Sequence, residues 1–244
     1  MNRDNNNSGF TLIELMLAMA FTAFLLVAIA MTTLQISSIY NKGITLREVN
    51  QAGRSVSDEL QRSISSSIPF EVTPKVDTSP ATVNSKYVVR NGGGRLCLGR
   101  YTYAWNYGKS IAHVSGAPSV YNYYNTNSAS SEPVRFAKVA DPDAALCDDP
   151  TLPVPRANAT EMLVSGDRDL VLHDFKITSA ANDPVTGQAL YAIMFVLGTN
   201  DDAQLTTNDT SCKPPSEGDG LENYCSVNQF DIIARAGNKT GSDR

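Results

Sequence analysis

The hydrophobic pattern divides the chain into a long apolar run, an amphipathic stretch and a region of short alternating segments. The apolar run extends from Phe10 to Met31 and contains one charged residue, Glu14. A helix of this length and composition is long enough to cross a bilayer. Beyond Met31, apolar residues recur at steps of three and four, as expected for one face of a helix. They are Val49, Ala52, Val56, Leu60 and Ile64.

These two patterns predict a single helix over residues 10–66, with a membrane half, 10–36, and an amphipathic half, 37–66. Pro69 stops the helix, because proline cannot donate the backbone hydrogen bond that a continuing helix needs. Gly43 weakens the helix and is a candidate bend point. At 1.5 Å per residue, the predicted helix is about 85 Å long.

Residues 67–244 predict a β-rich head, since short apolar and aromatic runs alternate there with turns. The runs "KYVVR" and "RLCLGRYTYAW" flank "NGGG" and predict a hairpin. "DLVLHDFKITS" and "QALYAIMFVLGT" predict a second, central hairpin, and "SVNQFDIIARAG" a last strand. Residues 190–197 are apolar on both faces, which predicts a central strand with the helix packed on one side. The predicted class is α+β, a long N-terminal transmembrane helix packed on one antiparallel β-sheet.

Glu14 is the unexpected residue of the apolar run. The eleven Leu, Ile, Val and Phe residues from Phe10 to Met31 contribute about −5 kcal/mol to insertion, against about +3 kcal/mol for one central acid. The apolar run can therefore insert into a membrane with Glu14 in it, but insertion does not explain why an acid occurs at this position. An ionisable residue inside a membrane span is a functional-site hypothesis by default.

Three kinds of targeting segment fit part of this pattern. A secretory signal peptide would have a basic n-region, but here Arg3 is offset by Asp4. Such a peptide would be cut after a site such as "AIA" at 28–30, and its apolar region would lack the acid. A plain signal anchor accounts for the length and the hydropathy but leaves Glu14 without a partner. The third kind rests on a resemblance.

The stretch "GFTLIEL", from Gly9 to Leu15, resembles the processing motif of class III signal peptides in type IV pilins and type II secretion pseudopilins. The resemblance implies that prepilin peptidase removes a leader, residues 1–9, by cutting after Gly9. It implies that Phe10 then becomes an N-methylated N-terminus, and that Glu14 pairs with the N-terminal amine of a neighbouring subunit during assembly. The leader departs from the family pattern, because it is polar and Asn-rich where family leaders are usually basic.

The same resemblance implies a pilin-like fold, a location and partners. Before assembly the chain would be a single-pass inner-membrane protein with an extracytoplasmic head, and after assembly part of an extracellular filament. Its partners would be other minor and major pilins, prepilin peptidase and the inner-membrane assembly platform. A head of this size is large for a major pilin and looks like the larger minor pilins of the W/J class. We therefore expect a structural minor pilin, not an enzyme, that helps initiate a type IV filament or occupies its tip.

Two other functions stay open at this point. One is a pseudopilin of a type II secretion system, which shares the motif. The other is an adhesin, a binding head exposed on the filament, for which the tyrosine-rich stretch Tyr121–Tyr124 in an Asn-rich loop is the candidate surface.

The cysteines suggest an oxidising compartment. All four lie apart, without a C-x-x-C motif, behind a membrane-targeting segment, a pattern that favours disulfides over buried free thiols. Pilins commonly carry a disulfide near the C-terminus, and Cys212 with Cys225 resembles it, which leaves Cys97 and Cys147 for a second bridge. The residues alone allow three connectivities.

Charge and motifs argue against several other functions. The net charge is −5, and the first 66 residues are neutral, so the excess acid lies in the head, which disfavours nucleic-acid binding. The chain lacks G-x-S-x-G, phosphate-loop and H-E-x-x-H motifs. No cofactor is expected beyond a weak candidate calcium site in an oxygen-rich loop at Asp201, Asp202 and Asp209. His173, next to Asp174 in a predicted strand, is interpreted as a structural histidine.

Overall fold

A computed structural model describes residues 11–73, 75–76, 86–111, 120–127, 132–163, 169–183, 185–201, 203–208, 210–214, 216 and 224–237. One helix, α1, covers Leu12–Ser65 and carries a head made mainly of antiparallel sheets. The predicted α+β class is confirmed. Glycine at position 43 does not interrupt the helix.

The head contains eleven strands and one short helix within the described residues. The strands are β1 (Lys75–Val76), β2 (Tyr87–Arg90), β3 (Gly93–Leu98), β4 (Tyr101–Asn106), β5 (Tyr123–Tyr124), β6 (Phe136–Ala140), β7 (Val154–Pro155), β8 (Ala159–Glu161), β9 (Leu170–Asp183), β10 (Gln188–Thr199) and β11 (Val227–Ala236). The helix α2 covers Ala145–Asp148, and 3-10 turns occur at Gly108–Ser110 and Arg156–Asn158.

These strands form two principal sheets, where the sequence pattern predicted one. The larger has the order β1-β2-β3-β4-β6-β8 and is antiparallel except for the β1–β2 pair. The smaller has the order β11-β10-β9 and is wholly antiparallel. A parallel pair of β5 and β7 completes the pairing. The strand pattern shows which segments pair with their neighbours along the chain, but not where the sheet divides.

The predicted long strand "RLCLGRYTYAW" is two strands. It reverses at Gly99, whose φ of 60° lies in the left-handed region that favours glycine. β3 and β4 then pair from Gly93 opposite Asn106 to Leu98 opposite Tyr101. All six residues of β3 are buried, so the strand has no solvent-facing side and lacks the alternation that would have marked its end.

The central hairpin forms as predicted, from β9 and β10, and β10 lies between β9 and β11. Helix α1 packs mainly on β11 rather than on the central strand. The reason lies at Gly53, where a Cβ would overlap the ring of Phe230. The glycine lets the helix approach β11 closely enough for this ring to lie against its backbone.

A row of aromatic rings joins the two sheets under the helix. Trp105 of the larger sheet lies 4.4 Å from Phe175 of the smaller sheet, measured between ring centroids. Phe175 continues to Phe195 at 6.4 Å, and Phe195 to Phe230 at 5.1 Å. Since aromatic pairs in this range add to the energy of apolar burial, the row fixes the two sheets against each other and against α1.

Candidate functional site

The N-terminus of α1 is capped by side chains of its own first turn. Thr11 is the N-cap residue, and its hydroxyl oxygen accepts a hydrogen bond from the Glu14 backbone N–H at 3.3 Å. In return the Glu14 carboxylate accepts from the Thr11 N–H at 3.0 Å and from the Thr11 hydroxyl at 2.9 Å. This reciprocal capping box satisfies backbone donors that a helix start would otherwise leave open. It also holds the Glu14 carboxylate at the very end of the helix.

Thr11 is a residue that the sequence interpretation missed. The pattern Thr-x-x-Glu ahead of an apolar run is a recognised signature of a capping box, and it is present at positions 11–14. The interpretation assigned Glu14 only to a neighbouring subunit. In the single chain the carboxylate already has partners within its own first turn. Gly9 and Phe10, the predicted cleavage and methylation positions, lie outside the described residues.

The first half of α1 presents a predominantly apolar surface that the head does not cover. The side chains from Leu12 to Ile36 are exposed, including Phe21, Phe24 and Leu34. By length and composition the helix is able to cross a membrane. Glu14 therefore lies at one end of an apolar cylinder that the head does not cover. Such a surface needs a membrane or other protein around it, since monomeric soluble proteins rarely expose apolar patches of this extent.

The second half of α1 is anchored to the head. Its buried residues recur on one face from Thr45 to Ile64, and they include four of the five apolar residues of the sequence pattern. At the anchored end, the Glu59 carboxylate accepts hydrogen bonds from Lys138 Nζ at 2.7 Å and from the Tyr103 hydroxyl at 2.8 Å. The Ser63 hydroxyl also contacts Glu59, at 3.3 Å, and lies against the Tyr103 hydroxyl.

These contacts set the charge state of the network. Burial opposes ionisation of Glu59, but the hydrogen bonds from Lys138 and Tyr103 outweigh it and hold the pKa of Glu59 below its usual 4.5. Burial and the adjacent Glu59 carboxylate raise the pKa of Tyr103 above its usual value. The carboxylate is thus ionised and the phenol protonated at neutral pH, the states in which each hydrogen bond forms.

Two further contacts hold the chain where it leaves the helix and where it returns to it. After α1, the Tyr191 hydroxyl donates to the Phe70 carbonyl and accepts from the Phe70 N–H, both at 2.7 Å, while the two rings stack at 4.4 Å. Near the middle of the helix, Asn41 Nδ2 donates to the Tyr224 hydroxyl at 3.2 Å. Tyr224 adjoins Cys225, so the C-terminal disulfide segment contacts α1 close to its exposed half.

Both disulfides are present in the structure, Cys97–Cys147 and Cys212–Cys225. The first joins β3 to α2 beside a buried cation, Arg95, which is fully inaccessible to solvent. Arg95 donates to the carbonyl oxygens of Leu146, at 2.6 Å, and Leu152. Its guanidinium also lies over the Tyr121 ring at 4.2 Å. Burial lowers the pKa of Arg95 to about 10, so it remains a cation at neutral pH.

The tyrosine-rich stretch does not form the surface expected of it. Tyr121 and Tyr123 are only 3% and 2% exposed, and Tyr124 alone is accessible, at 45%. Tyr123 donates to Glu161 Oε2 at 2.6 Å, and Tyr121 covers Arg95. The interpretation as an exposed aromatic cluster is therefore wrong for two of the three rings. The Asn-rich composition suggested a solvated loop, but the rings fill the layer behind the larger sheet.

The remaining predicted residues lie in the smaller sheet and its loop. His173 Nε2 is 3.2 Å from the Thr199 carbonyl oxygen, a strand-to-strand contact that agrees with a structural role. Asp201 Oδ1 accepts from the Ala203 N–H at 3.1 Å in a tight turn. Asp202 and Asp209 lie outside the described residues, so the calcium site stays a prediction. Among the described residues, no three His, Cys, Asp or Glu side chains are arranged to hold a metal ion.

Comparison with known proteins bears on the same N-terminal segment. Residues 4–34 match a family model described as the prokaryotic N-terminal methylation motif. Neither the comparison with curated proteins nor the comparison with solved structures found a match. The match covers six of the nine residues of the predicted leader, the capping box at Thr11 and Glu14, and most of the exposed apolar helix. By length and composition that helix is able to cross a membrane, which supports membrane anchoring. This motif and the helix that it opens support the assignment of the chain as a type IV pilin-like prepilin.

Proposed function

We propose that the chain is a structural minor pilin that helps initiate a type IV filament or occupies its tip. The observation that carries the proposal is the division of α1. Its first half is an exposed apolar cylinder with an acid at its end, and its second half is built into a head. The methylation motif supports a pilin or pseudopilin, and it suggests a structural protein rather than an enzyme.

In this proposal, prepilin peptidase cuts after Gly9 and leaves the apolar helix attached to the head. The new amine of Phe10 becomes methylated. The chain then remains in the inner membrane, with its head on the extracytoplasmic side. The assembly platform later moves it into a filament together with other minor and major pilins. The apolar half of α1 exchanges lipid for neighbouring helices, and this exchange keeps its side chains away from water.

Glu14 has two successive sets of partners in this scheme. In the single chain it accepts hydrogen bonds from Thr11. In the filament it would pair with the amine of a neighbouring subunit, because a buried charge needs an opposite charge. Since the Thr11 contacts already hold the carboxylate at the helix end, the neighbour's amine meets a prepositioned acceptor.

N-terminal analysis of the protein extracted from envelopes of its native host tests the processing step. A mature chain that begins at N-methylated Phe10 is the expected result. A start at Met31, after the alternative small-x-small site, would overturn the proposal in favour of ordinary secretion. A prepilin peptidase deletion strain provides the control, since the chain should there retain residues 1–9.

The choice between a minor pilin and a type II pseudopilin needs a second experiment. The head beyond α1 is large, a feature that favours a minor pilin. Deleting the gene should reduce surface filaments while secretion of folded exoproteins continues. Lost secretion with unchanged filaments would favour the pseudopilin instead.

A further inference from the structure

A cleft lies beside α1, where one face of the larger sheet emerges from the core. On this face Trp105 of β4 and Phe136 of β6 are directly opposed and fully buried. Four positions farther along the same two strands, Tyr101 is opposed to Ala140, and both are exposed. Because residues at alternate strand positions share a face, the face that packs into the core continues here into solvent. Glu59 of α1 borders the opening.

Three strands form the floor of the cleft. Tyr101 lies on β4, Lys138 on β6 and Thr160 on β8, with Lys138 directly opposite Thr160. Since neighbouring strands are about 4.8 Å apart, β4 and β8 are separated by about 10 Å. On β6 between them, the small side chain of Ala140 leaves space. The cleft has a volume of about 450 Å³, and small-molecule sites usually occupy about 300–1,000 Å³. The described lining residues are Glu59, Tyr101, Lys138, Ala140, Asn158, Thr160 and Met162.

The cleft contains one charge of each sign, and the two are paired. Lys138 Nζ donates to Glu59 Oε1 at 2.7 Å, and it lies 3.9 Å from the centroid of the Tyr101 ring. The other described lining residues are uncharged at neutral pH. A charged ligand would therefore enter without a counter-charge of its own. Because burying an unpaired charge is costly, the cleft favours a neutral ligand.

Several polar groups of the cleft have hydrogen-bonding capacity that the chain does not use. The hydrogen bonds that the Glu59 carboxylate accepts all end on Oε1, and Oε2 accepts none from the described residues. The side chains of Asn158 and Thr160 likewise make no hydrogen bond within the described part of the chain. A carboxylate accepts hydrogen bonds, an amide supplies both donors and an acceptor, and a hydroxyl both donates and accepts. The cleft thus offers mixed partners to a ligand that carries several hydroxyl groups.

Apolar surface lies next to these polar groups. The Tyr101 side chain is 40% exposed, and Met162 is partly buried at the border of the cleft. A sugar combines the same two features, since its hydroxyl groups donate and accept and its C–H face is apolar. We infer that this cleft binds a neutral sugar, whose hydroxyl groups contact Glu59 Oε2, Asn158 and Thr160 and whose C–H face packs on the Tyr101 ring. Sugar binding by the head is an activity in addition to filament assembly.

Titration of the full-length chain in a nonionic, sugar-free detergent tests the inference. The neutral probes are D-glucose, D-galactose and N-acetyl-D-glucosamine, and binding is measured by ligand-observed NMR and calorimetry. D-Glucuronate, which differs from D-glucose by its carboxylate, tests the preference for a neutral ligand. Cyclohexanol, a ring with one hydroxyl group, tests the need for several. We expect saturable binding of at least one neutral sugar, with D-glucuronate and cyclohexanol at least about tenfold weaker.

Filling the cleft should prevent binding without removing any of its polar groups. Ala140→Trp places an indole in the space between β4 and β8 and should weaken sugar binding at least about tenfold. Ala180→Trp, at an exposed position of β9 outside the cleft, is the matched control. Thr160→Ala removes one hydroxyl contact and should weaken binding about threefold to tenfold. Thr207→Ala, also exposed and outside the cleft, should leave binding unchanged.

Two tyrosines of nearly equal exposure test the contribution of the ring. Tyr101 is 40% and Tyr124 is 45% exposed, and Tyr101 alone lines the cleft. Tyr101→Ala should weaken sugar binding about tenfold, because the aromatic contact is lost, while Tyr101→Phe retains most of it. Tyr124→Ala should have no effect. Thermal unfolding of every variant shows whether the fold is intact.

Four results would overturn the inference. They are no binding of any of the three neutral sugars, tighter binding of D-glucuronate or cyclohexanol than of these sugars, full binding by folded Ala140→Trp, and equal losses in the control variants. If Ala140→Trp does not fold, the substitutions at Thr160 and Tyr101 decide with their controls. None of these results bears on the N-terminal start at Phe10, so failure of the sugar site and failure of the proposed function are distinguishable.

Discussion

The ring of Phe230 occupies the place that a side chain at position 53 would need, so Gly53 and Phe230 form a socket between α1 and β11. Gly43, ten residues earlier in the same helix, has open space around it. The two glycines thus lie in the same helix under opposite steric conditions, and they provide a matched pair of substitutions.

Gly53→Ala should destabilise the head, and Gly43→Ala should stabilise the helix. Alanine is favoured over glycine in a helix interior by up to about 1 kcal/mol, and Gly43→Ala realises this gain. At Gly53 the new methyl group overlaps Phe230, and overpacking of this kind typically costs about 1–3 kcal/mol. Denaturant unfolding in detergent measures both changes. Equal changes in the free energy of unfolding for the two substitutions would contradict the close packing of Phe230 against Gly53.

Acid should loosen the attachment of α1 at Glu59. Because the pKa of Glu59 is held below its usual 4.5 in the folded chain, its contribution to stability is complete above that value. The contribution is lost as pH falls through the lowered pKa. Glu59→Gln should therefore reduce stability at pH 7 and flatten the dependence on pH below about 4.5. Asp58→Asn, at an exposed position of the same turn, should leave the profile of the parent chain unchanged.

Arg95→Met should destabilise the layer behind the larger sheet by about 2 kcal/mol or more. Removing the guanidinium leaves the buried carbonyl of Leu146 and the partly buried carbonyl of Leu152 without their donor, and losing the donor to a buried carbonyl costs about 1–3 kcal/mol. Arg95→Lys should not restore stability, because a single ammonium lacks the planar fork that reaches both carbonyls. Arg100→Ala, on an exposed turn, is the control. A stability of Arg95→Lys equal to that of the parent chain would refute this account.

The two disulfides should differ in their contribution to stability. Cys97 and Cys147 are separated by 50 positions, against 13 for Cys212 and Cys225. In the chain-entropy model these loops correspond to about 4 and about 3 kcal/mol. Replacing each pair by serine and measuring thermal unfolding gives the order. The reverse order would show that packing around the C-terminal pair outweighs loop length.

Glu14→Gln should leave membrane insertion intact and reduce incorporation into filaments about tenfold or more. Insertion is favourable even with the acid present, whereas a neutral side chain cannot pair with a positive amine. Quantitative immunoblots of sheared filaments and membranes measure the two pools. Asp58→Asn is again the control, since it removes an acid of the same helix outside the apolar half. Full incorporation of Glu14→Gln would argue against the assembly role.

The sequence predicted the parts of this fold that follow from short-range periodicity. Val49, Val56, Leu60 and Ile64 repeat with the helical period, and all four are buried in the anchored face of α1. The capping box at Thr11 has the same short range and was missed, although Thr-x-x-Glu is a signature that the sequence contains. In each case the residues that interact lie within a few turns of one helix, so spacing alone identifies them.

Contacts between distant segments were not predictable in the same way. Arg95 reads as an ordinary charged residue of a strand, and its burial depends on carbonyls more than fifty positions away. The burial of Tyr121 and Tyr123 likewise depends on residues distant in the sequence, Arg95 and Glu161. The division of the head into two sheets was not predictable from the strand pattern either, because it depends on which distant strands pair.

The anchored face of α1 extends from Thr45 to Ile64, a length of about 29 Å along the helix axis. A force transmitted through the apolar half acts along that axis. The Phe230 socket, the apolar stripe and the Glu59 network would then bear the load in shear, all at once, instead of opening one after another as in peeling. Tension along the helix would therefore be shared by all of these contacts together.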